Sequence, residues 1–209
     1  MYLIRGQHNL DLFKSRFPRV RLCGTIGNFD GLHLGHQAIL NKIKKNAQQN
    51  DAKTIVFFTE PHASEYFAKA RNQNTLPPPR ICPWREKVKL LKQNEIDFAF
   101  FLKFNNTLRT MPPEDFITEI LESINLVSFT VGDDFRFGEN RKGDSNLLKT
   151  WGSKSNVIVE NTETILYGGE RVSSTRIRNE LMNNNFDIAE ELLGRPYTFS
   201  GKVVHGQHL

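Results

Sequence analysis

Short apolar runs alternate with stretches whose apolar residues recur at helical spacing, and this alternation constrains the fold more than any other feature. Runs at residues 20–26, 54–58, 98–102, 126–131 and 157–159 suit strands buried on both faces of a parallel sheet. Helices fit between them. Over residues 34–47, Ile39, Leu40, Ile43 and Ala47 share one face, while Lys42, Lys44 and Lys45 decorate the rest. Residues 83–92 and 113–124 open on proline, which a first helical turn tolerates, and residues 174–182 open on hydroxyl side chains suited to capping. The succession predicts an α/β architecture: an open parallel sheet with helices on both faces.

Composition narrows the setting. The 209 residues are 38% hydrophobic with 16 Phe, enough for a real core and too apolar for a largely disordered chain. No apolar run nears the ~20 residues a bilayer requires, and the N-terminus lacks the ordered regions of a signal peptide, so no membrane partner is expected. Cys23 and Cys82 are too few to staple a fold and show no metal-ligand spacing, which predicts a reducing, cytoplasmic setting. The net charge of +5 and pI of about 9.2 suit anionic partners without separating nucleotide from nucleic acid. Lys42, Lys44 and Lys45 are the best support for nucleic acid. They lie on a solvated helix face without an aromatic platform or recognition motif, so no nucleic-acid partner is expected.

Pro77, Pro78 and Pro79 form a stiff loop, and a solvated surface explains the flanking Arg80 and Arg85 as well as a binding role does. Asn183, Asn184 and Asn185 separate two short C-terminal helices. After Leu193 the texture changes, and residues 198–204 read as a strand with nothing to pair with before Leu209. A boundary near Gly194 is predicted, with residues 1–193 as one domain and residues 194–209 beginning something new, a second domain that is missing or never existed.

The most informative segment follows the strand at 20–26: Gly27-Asn28-Phe29-Asp30-Gly31-Leu32-His33-Leu34-Gly35-His36. Ligands of open parallel sheets bind at the carboxyl ends of strands, and a helix N-terminus presents free N–H groups to phosphate. Gly27 and Gly31 let the backbone bend toward a ligand, and Gly35 leaves room beside the imidazoles. His33 and His36 lie about 60° apart around a helix axis, so both can face one anionic point. Taken alone, a His-x-x-His pair is more often a surface or capping pair, and it could also supply two zinc ligands. Zinc would need a third ligand, and both cysteines are remote in sequence. The Gly-x-Gly-x-x-Gly dinucleotide fingerprint and the Gly-Lys-Ser/Thr of a P-loop are absent here.

His33-Leu34-Gly35-His36 after a Gly-Asn-Phe-Asp-Gly turn resembles the HxGH signature of nucleotidylyltransferases, and in particular the adenylyltransferase module of bacterial bifunctional riboflavin kinase/FAD synthetases. Four further segments carry the resemblance in order along the chain. Glu60-Pro61-His62 is similar to that family's Glu-Pro-His-Pro, with Ala63 in place of the second proline. Val131 to Gly138, followed by Arg141-Lys142-Gly143-Asp144, is close to its flavin-module motif. Val172-Ser173-Ser174-Thr175-Arg176-Ile177-Arg178 resembles its Ile-Ser-Ser-Thr-x-x-Arg, and Leu192 to Gly206 resembles the entry to its kinase domain.

The resemblance implies a Rossmann-like sheet of the nucleotidylyltransferase type that joins FMN to the AMP part of ATP, giving FAD and pyrophosphate. It implies catalytic roles for His33, His36, Ser174, Thr175 and Arg178. It implies nucleotide contacts from Gly27, Asn28, Phe29, Asp30, Gly35 and Ser173. Flavin contacts fall to Pro61, Asp134, Phe135, Arg136 and Phe137, although strand alternation sends one of the two Phe rings to the core. His62 receives no chemical role. Two anionic reactants imply Mg²⁺ with the ATP, and Asp134 is placed to orient the FMN phosphate or a metal. The resemblance makes residues 194–209 a linker and the first strand of an incomplete riboflavin kinase domain, a β domain whose substrate would be riboflavin. A sibling transferase acting on another phosphorylated substrate would share HxGH but lack Asp134-Phe135-Arg136-Phe137-Gly138; a non-catalytic flavin-binding module would not need the His and Ser-Thr segments.

Overall fold

The computed structural model describes residues 1–70 and 76–201. Six parallel strands form one sheet in the order β1-β4-β3-β2-β5-β6. They are β1 (Tyr2–Arg5), β2 (Leu22–Ile26), β3 (Lys53–Glu60), β4 (Phe98–Lys103), β5 (Leu126–Gly132) and β6 (Ile158–Thr162). The helices are α1 (Leu10–Arg16), α2 (Leu34–Gln49), α3 (Ala63–Ala70), α4 (Trp84–Gln93), α5 (Asn106–Arg109), α6 (Pro113–Phe116), α7 (Ser145–Ser155), α8 (Ser174–Met182) and α9 (Phe186–Leu193). A two-stranded hairpin, β7 (Leu166–Tyr167) and β8 (Glu170–Arg171), stands apart from the sheet.

Alternation along buried strands builds two cores. Ile55 and Phe57 of β3 join Phe98, Phe100 and Leu102 of β4 on one face, where Phe116, Leu148 and Trp151 cover them. The next residues along, Val56, Phe58, Ala99 and Phe101, face Leu40 and Ile43 of α2 and Leu90 and Leu91 of α4. Both faces are therefore dry, which is why these strands read as unbroken apolar runs. Truncating a ring such as Phe57 or Phe100 would cost about 3–5 kcal/mol.

Several expectations shift. The strand at 20–26 is the second strand; β1, with only Ile4 buried, forms a sheet edge beside β4 and is too short and too exposed to stand out by hydrophobicity. The helix predicted at 113–124 is α for one turn and then π-helical over Ile117–Leu121, which keeps Phe116, Ile117, Ile120 and Leu121 all buried. At the C-terminus, α9 ends at Leu193 and Gly194 takes φ +65°, the left-handed stop that a glycine provides. Of the strand predicted at 198–204, residues 198–201 take no regular structure, and 202–204 lie outside the described residues.

The chain winds from β2 outward through β3 and β4, then returns to place β5 and β6 on the other flank of β2. Loops leaving β2 and β5 thus diverge at a topological switch point, where open α/β sheets form their ligand crevices.

Candidate nucleotide site

A cavity of about 360 Å³ opens at this switch point. Gly27, Asn28, Phe29, His33, Gly35 and His36 form one wall; Asp134, Phe135 and Arg136 form another; Ser173 and Ser174 close a third. Eleven of the residues anticipated from the sequence thus line one space. Asp30, Pro61, Phe137, Thr175 and Arg178 do not line it.

The turn after β2 is held in an unusual backbone path, with φ of 49° at Phe29, 80° at Gly31 and 41° at Leu32. Burial explains how non-glycine residues are kept there: Phe29 and Leu32 are sealed in the core. Asp30 acts as the turn's anchor. Its carboxylate, 2% exposed, accepts the Ile81 and Cys82 N–H groups at 3.1 and 3.2 Å, and it pairs with Arg178 at 2.6 Å. Arg178 also donates to the Pro79 carbonyl at 2.7 Å. The hydroxyl of Ser174 donates to the Asp30 carbonyl at 3.0 Å, so α8 is docked against the same turn. In this arrangement Arg178 and Asp30 hold loops together behind the cavity, and Thr175 is exposed outside it.

His33 is the N-cap of α2: its Nδ1 accepts the His36 N–H at 3.4 Å. That leaves Nε2 as the protonated nitrogen of a neutral ring. The two imidazoles stack with centroids 3.7 Å apart and planes 22° apart, and both residues line the cavity. Gly35 leaves the room this stack uses. A Cβ there would sit 3.2 Å from the His33 ring and 3.6 Å from the Val172 carbonyl. Burial, reinforced by Arg171, Arg195 and Arg178 against the opposing Asp30, pushes the His33 pKa down to about 4. Burial, then His33 and Lys87, pushes His36 well below its usual range. Both rings are held neutral near pH 7, so each can offer an N–H as a hydrogen-bond donor rather than a cationic charge.

The opposite wall follows from β5. Phe135 lies parallel to Phe137, with centroids 5.6 Å and planes 12° apart; Phe135 is half-buried at the cavity while Phe137 packs in the core against Phe116. Phe137 and Gly143 exchange backbone hydrogen bonds at 3.0 and 2.9 Å, and a Cβ on Gly143 would lie 2.7 Å from the Phe137 ring. Asp144 belongs to the scaffold: its carboxylate caps α7 through the Asn146 and Leu147 N–H groups, both at 3.0 Å.

Sequence reading missed Arg171. From β8 it reaches Asp133 at 3.1 Å and Asp134 at 2.9 Å, and it lines the cavity. Asp133 also accepts a hydrogen bond from Thr164, and that bond, with Arg171 beside it, holds its carboxyl below the usual range. Arg171 stands one residue before the Val172-Ser173-Ser174 run, so its position in sequence was the available signal. Arg80, read as equally well solvated, is engaged: it meets Glu60 at 2.7 Å and Glu65 at 2.5 Å. Among the described residues, no three His, Cys, Asp or Glu side chains converge as a metal cage.

Fold and cavity together define an α/β protein of the nucleotidylyltransferase type. The chain belongs to the FAD synthetase family, whose model matches residues 20–176. It is 38% identical over its whole length to the bifunctional riboflavin kinase/FMN adenylyltransferase of Escherichia coli (strain K12), of which it covers 64%. The protein of the same description from Haemophilus influenzae is 35% identical, again over the whole chain, with 65% of the relative covered. The chain therefore spans just under two thirds of these relatives. A solved structure described as a macrolide-efflux protein from Streptococcus pneumoniae matches 93% of this chain and 70% of its own, with a TM-score of 0.77 and 22% identity, a likeness of fold alone.

Proposed function

We propose that this chain is an FMN adenylyltransferase, forming FAD and pyrophosphate from FMN and ATP. The observation that carries the reading is the meeting, in one cavity, of two stacked neutral imidazoles, the start of a helix at Ser173 and Ser174, and an aromatic wall at Phe135. The FMN phosphate is anionic near neutral pH, so no general base is needed. The task is to align two mutually repelling anions in line and to stabilise charge building on the α-phosphate and the leaving pyrophosphate. His33 Nε2–H and its neighbour His36 donate to phosphate oxygens without having to shed a proton first. Gly27 and Asn28 border the nucleotide, and Phe135 offers a face to the isoalloxazine ring.

Asp133 and Asp134 present hard oxygen donors on the cavity wall, which suits Mg²⁺ arriving on ATP, with phosphates and water completing its shell. The metal would neutralise phosphate charge. The left-handed Gly194 after α9 supports reading residues 1–193 as the adenylyltransferase domain. Riboflavin phosphorylation belongs, on this reading, to a longer protein containing the remainder of the relatives' length, and the setting is cytoplasmic.

The test is direct: supply FMN, ATP and Mg²⁺ and follow FAD and pyrophosphate by chromatography. FAD from the wild type, lost in His33→Ala and His36→Ala, supports the assignment; no FAD with any divalent metal overturns it. With riboflavin and ATP, this chain is expected to make no FMN.

A further inference from the structure

Lys87 is the most anomalous residue outside the cavity. It lies on α4 with none of its surface exposed, and it lacks a carboxylate in ion-pair contact among the described residues. Its Nζ donates to the Asn28 carbonyl at 2.6 Å, meets His62 Nε2 at 3.1 Å and lies 4.8 Å from the centre of the Phe58 ring. Burying an amine this way is unfavourable for folding, and burial draws its pKa below the usual lysine range. A methionine of similar shape would fill the space without that cost. What the amine provides instead is a bridge between two loops at the carboxyl ends of adjacent strands.

Asn28 belongs to the turn after β2 and lines the cavity. His62 follows β3, is itself buried, and is fixed by the Glu65 carboxylate, which accepts its backbone N–H at 3.1 Å. Glu65 in turn holds Arg80. The chain of contacts therefore runs from the α3 and α4 side of the molecule to the nucleotide wall. We propose that Lys87 is a positioning residue for the nucleotide: its buried amine clamps the Asn28 turn to the His62 turn and so sets the Asn28 edge of the cavity for ATP. This deepens the adenylyltransferase reading and rests on it for the identity of the ligand.

The experiment measures ATP binding by calorimetry, separately from turnover, in the wild type, Lys87→Met, Lys87→Arg, His62→Leu and the Lys87→Met/His62→Leu double variant. Lys87→Met is expected to weaken ATP binding and raise KM for ATP about tenfold while KM for FMN changes less than about twofold. Lys87→Arg, which keeps charge and donors, recovers most of that loss. His62→Leu acts in the same direction and more weakly, and the double variant is no worse than Lys87→Met alone, because one clamp is being broken twice. Unchanged ATP affinity in Lys87→Met, equal losses for ATP and FMN, or additive effects in the double variant overturn the proposal. If Lys87→Met does not fold, Lys87→Arg and His62→Leu decide it, since His62→Leu with wild-type ATP affinity is equally fatal. A wild type that binds ATP yet makes no FAD refutes the adenylyltransferase reading and leaves the clamp tested; one that does not bind ATP refutes both.

Discussion

Lowering the pH from 7 to 5 is expected to destabilise the free protein through its buried histidines. His33 and His62 are 7% and 6% exposed, and burial is the first cause that pushes each pKa from 6.5 to about 4. Around His62 the further influences are Lys87 and Arg80, which lower it, against Asp30 and Glu65. The folded state thus keeps both rings neutral while the unfolded chain takes up protons below about pH 6.5, so stability rises with pH through this window and is lost on acidification. Integrating the proton-uptake difference between pH 7 and pH 5 gives roughly 2 kcal/mol per ring, and about 4 kcal/mol for the two. His36 adds in the same direction. The depressed carboxyls of Glu65 and Asp133 titrate lower, so they contribute little above pH 5.

Against a total of about 5–15 kcal/mol this is a large loss. With a urea m-value of about 2 kcal/mol/M, the unfolding midpoint falls by about 2 M. Fluorescence of Trp84 and Trp151 during urea titrations at pH 7, 6 and 5, without nucleotide, reads it out. His33→Asn, which retains a capping acceptor, is expected to remove about half of the dependence. A midpoint that stays in place between pH 7 and pH 5 refutes the claim that these imidazoles are held neutral by burial.

Asp30→Ala strands Arg178 and the Ile81 and Cys82 N–H groups, and is expected to cost about 3–5 kcal/mol, seen as a drop of about 6–20 °C in melting temperature. Arg178→Ala is likewise expected to lower the melting temperature; loss of FAD formation with an unchanged melt would instead give Arg178 the direct phosphate role suggested by its sequence motif. Gly35→Ala moves His33 by a few tenths of an ångström and is expected to slow FAD formation about tenfold with little loss of stability, a split that kinetics and thermal melts resolve together. Gly138→Ala places a Cβ 2.8 Å from the Pro113 backbone nitrogen at φ +70°, and is expected to lower the melting temperature measurably.

The central sheet was legible because strands such as Phe98–Lys103 are buried on both faces and carry the signal along their whole length. The edge strand Tyr2–Arg5 and the exposed hairpin at Leu166–Tyr167 bury too little to write such a signal. At the cavity, His33, Gly35 and His36 were readable because a helix start, a steric need and a shared direction coincide within four residues. Asp30 and Arg178 were anticipated at the ligand, yet they pair with each other across 148 positions of sequence, a contact that no local pattern encodes. Lys87 reads as a solvated helix residue by type. Only its spacing of three and four from the buried Leu90 and Leu91 hinted that it shares their face.

The His33–His36 turn is fastened by residues far away in sequence. Gln37 donates to the Leu193 carbonyl, Arg195 to the Gly31 carbonyl and Ser174 to the Asp30 carbonyl, over separations of 156, 164 and 144 residues. A ribosome therefore releases the histidines long before it releases the groups that fix them. The sheet strands of the first half can begin pairing early, whereas these loops close only when the last two helices have emerged. The cavity at the switch point is among the last features to take its final shape, so a growing chain displays the HxGH sequence without a finished pocket around it.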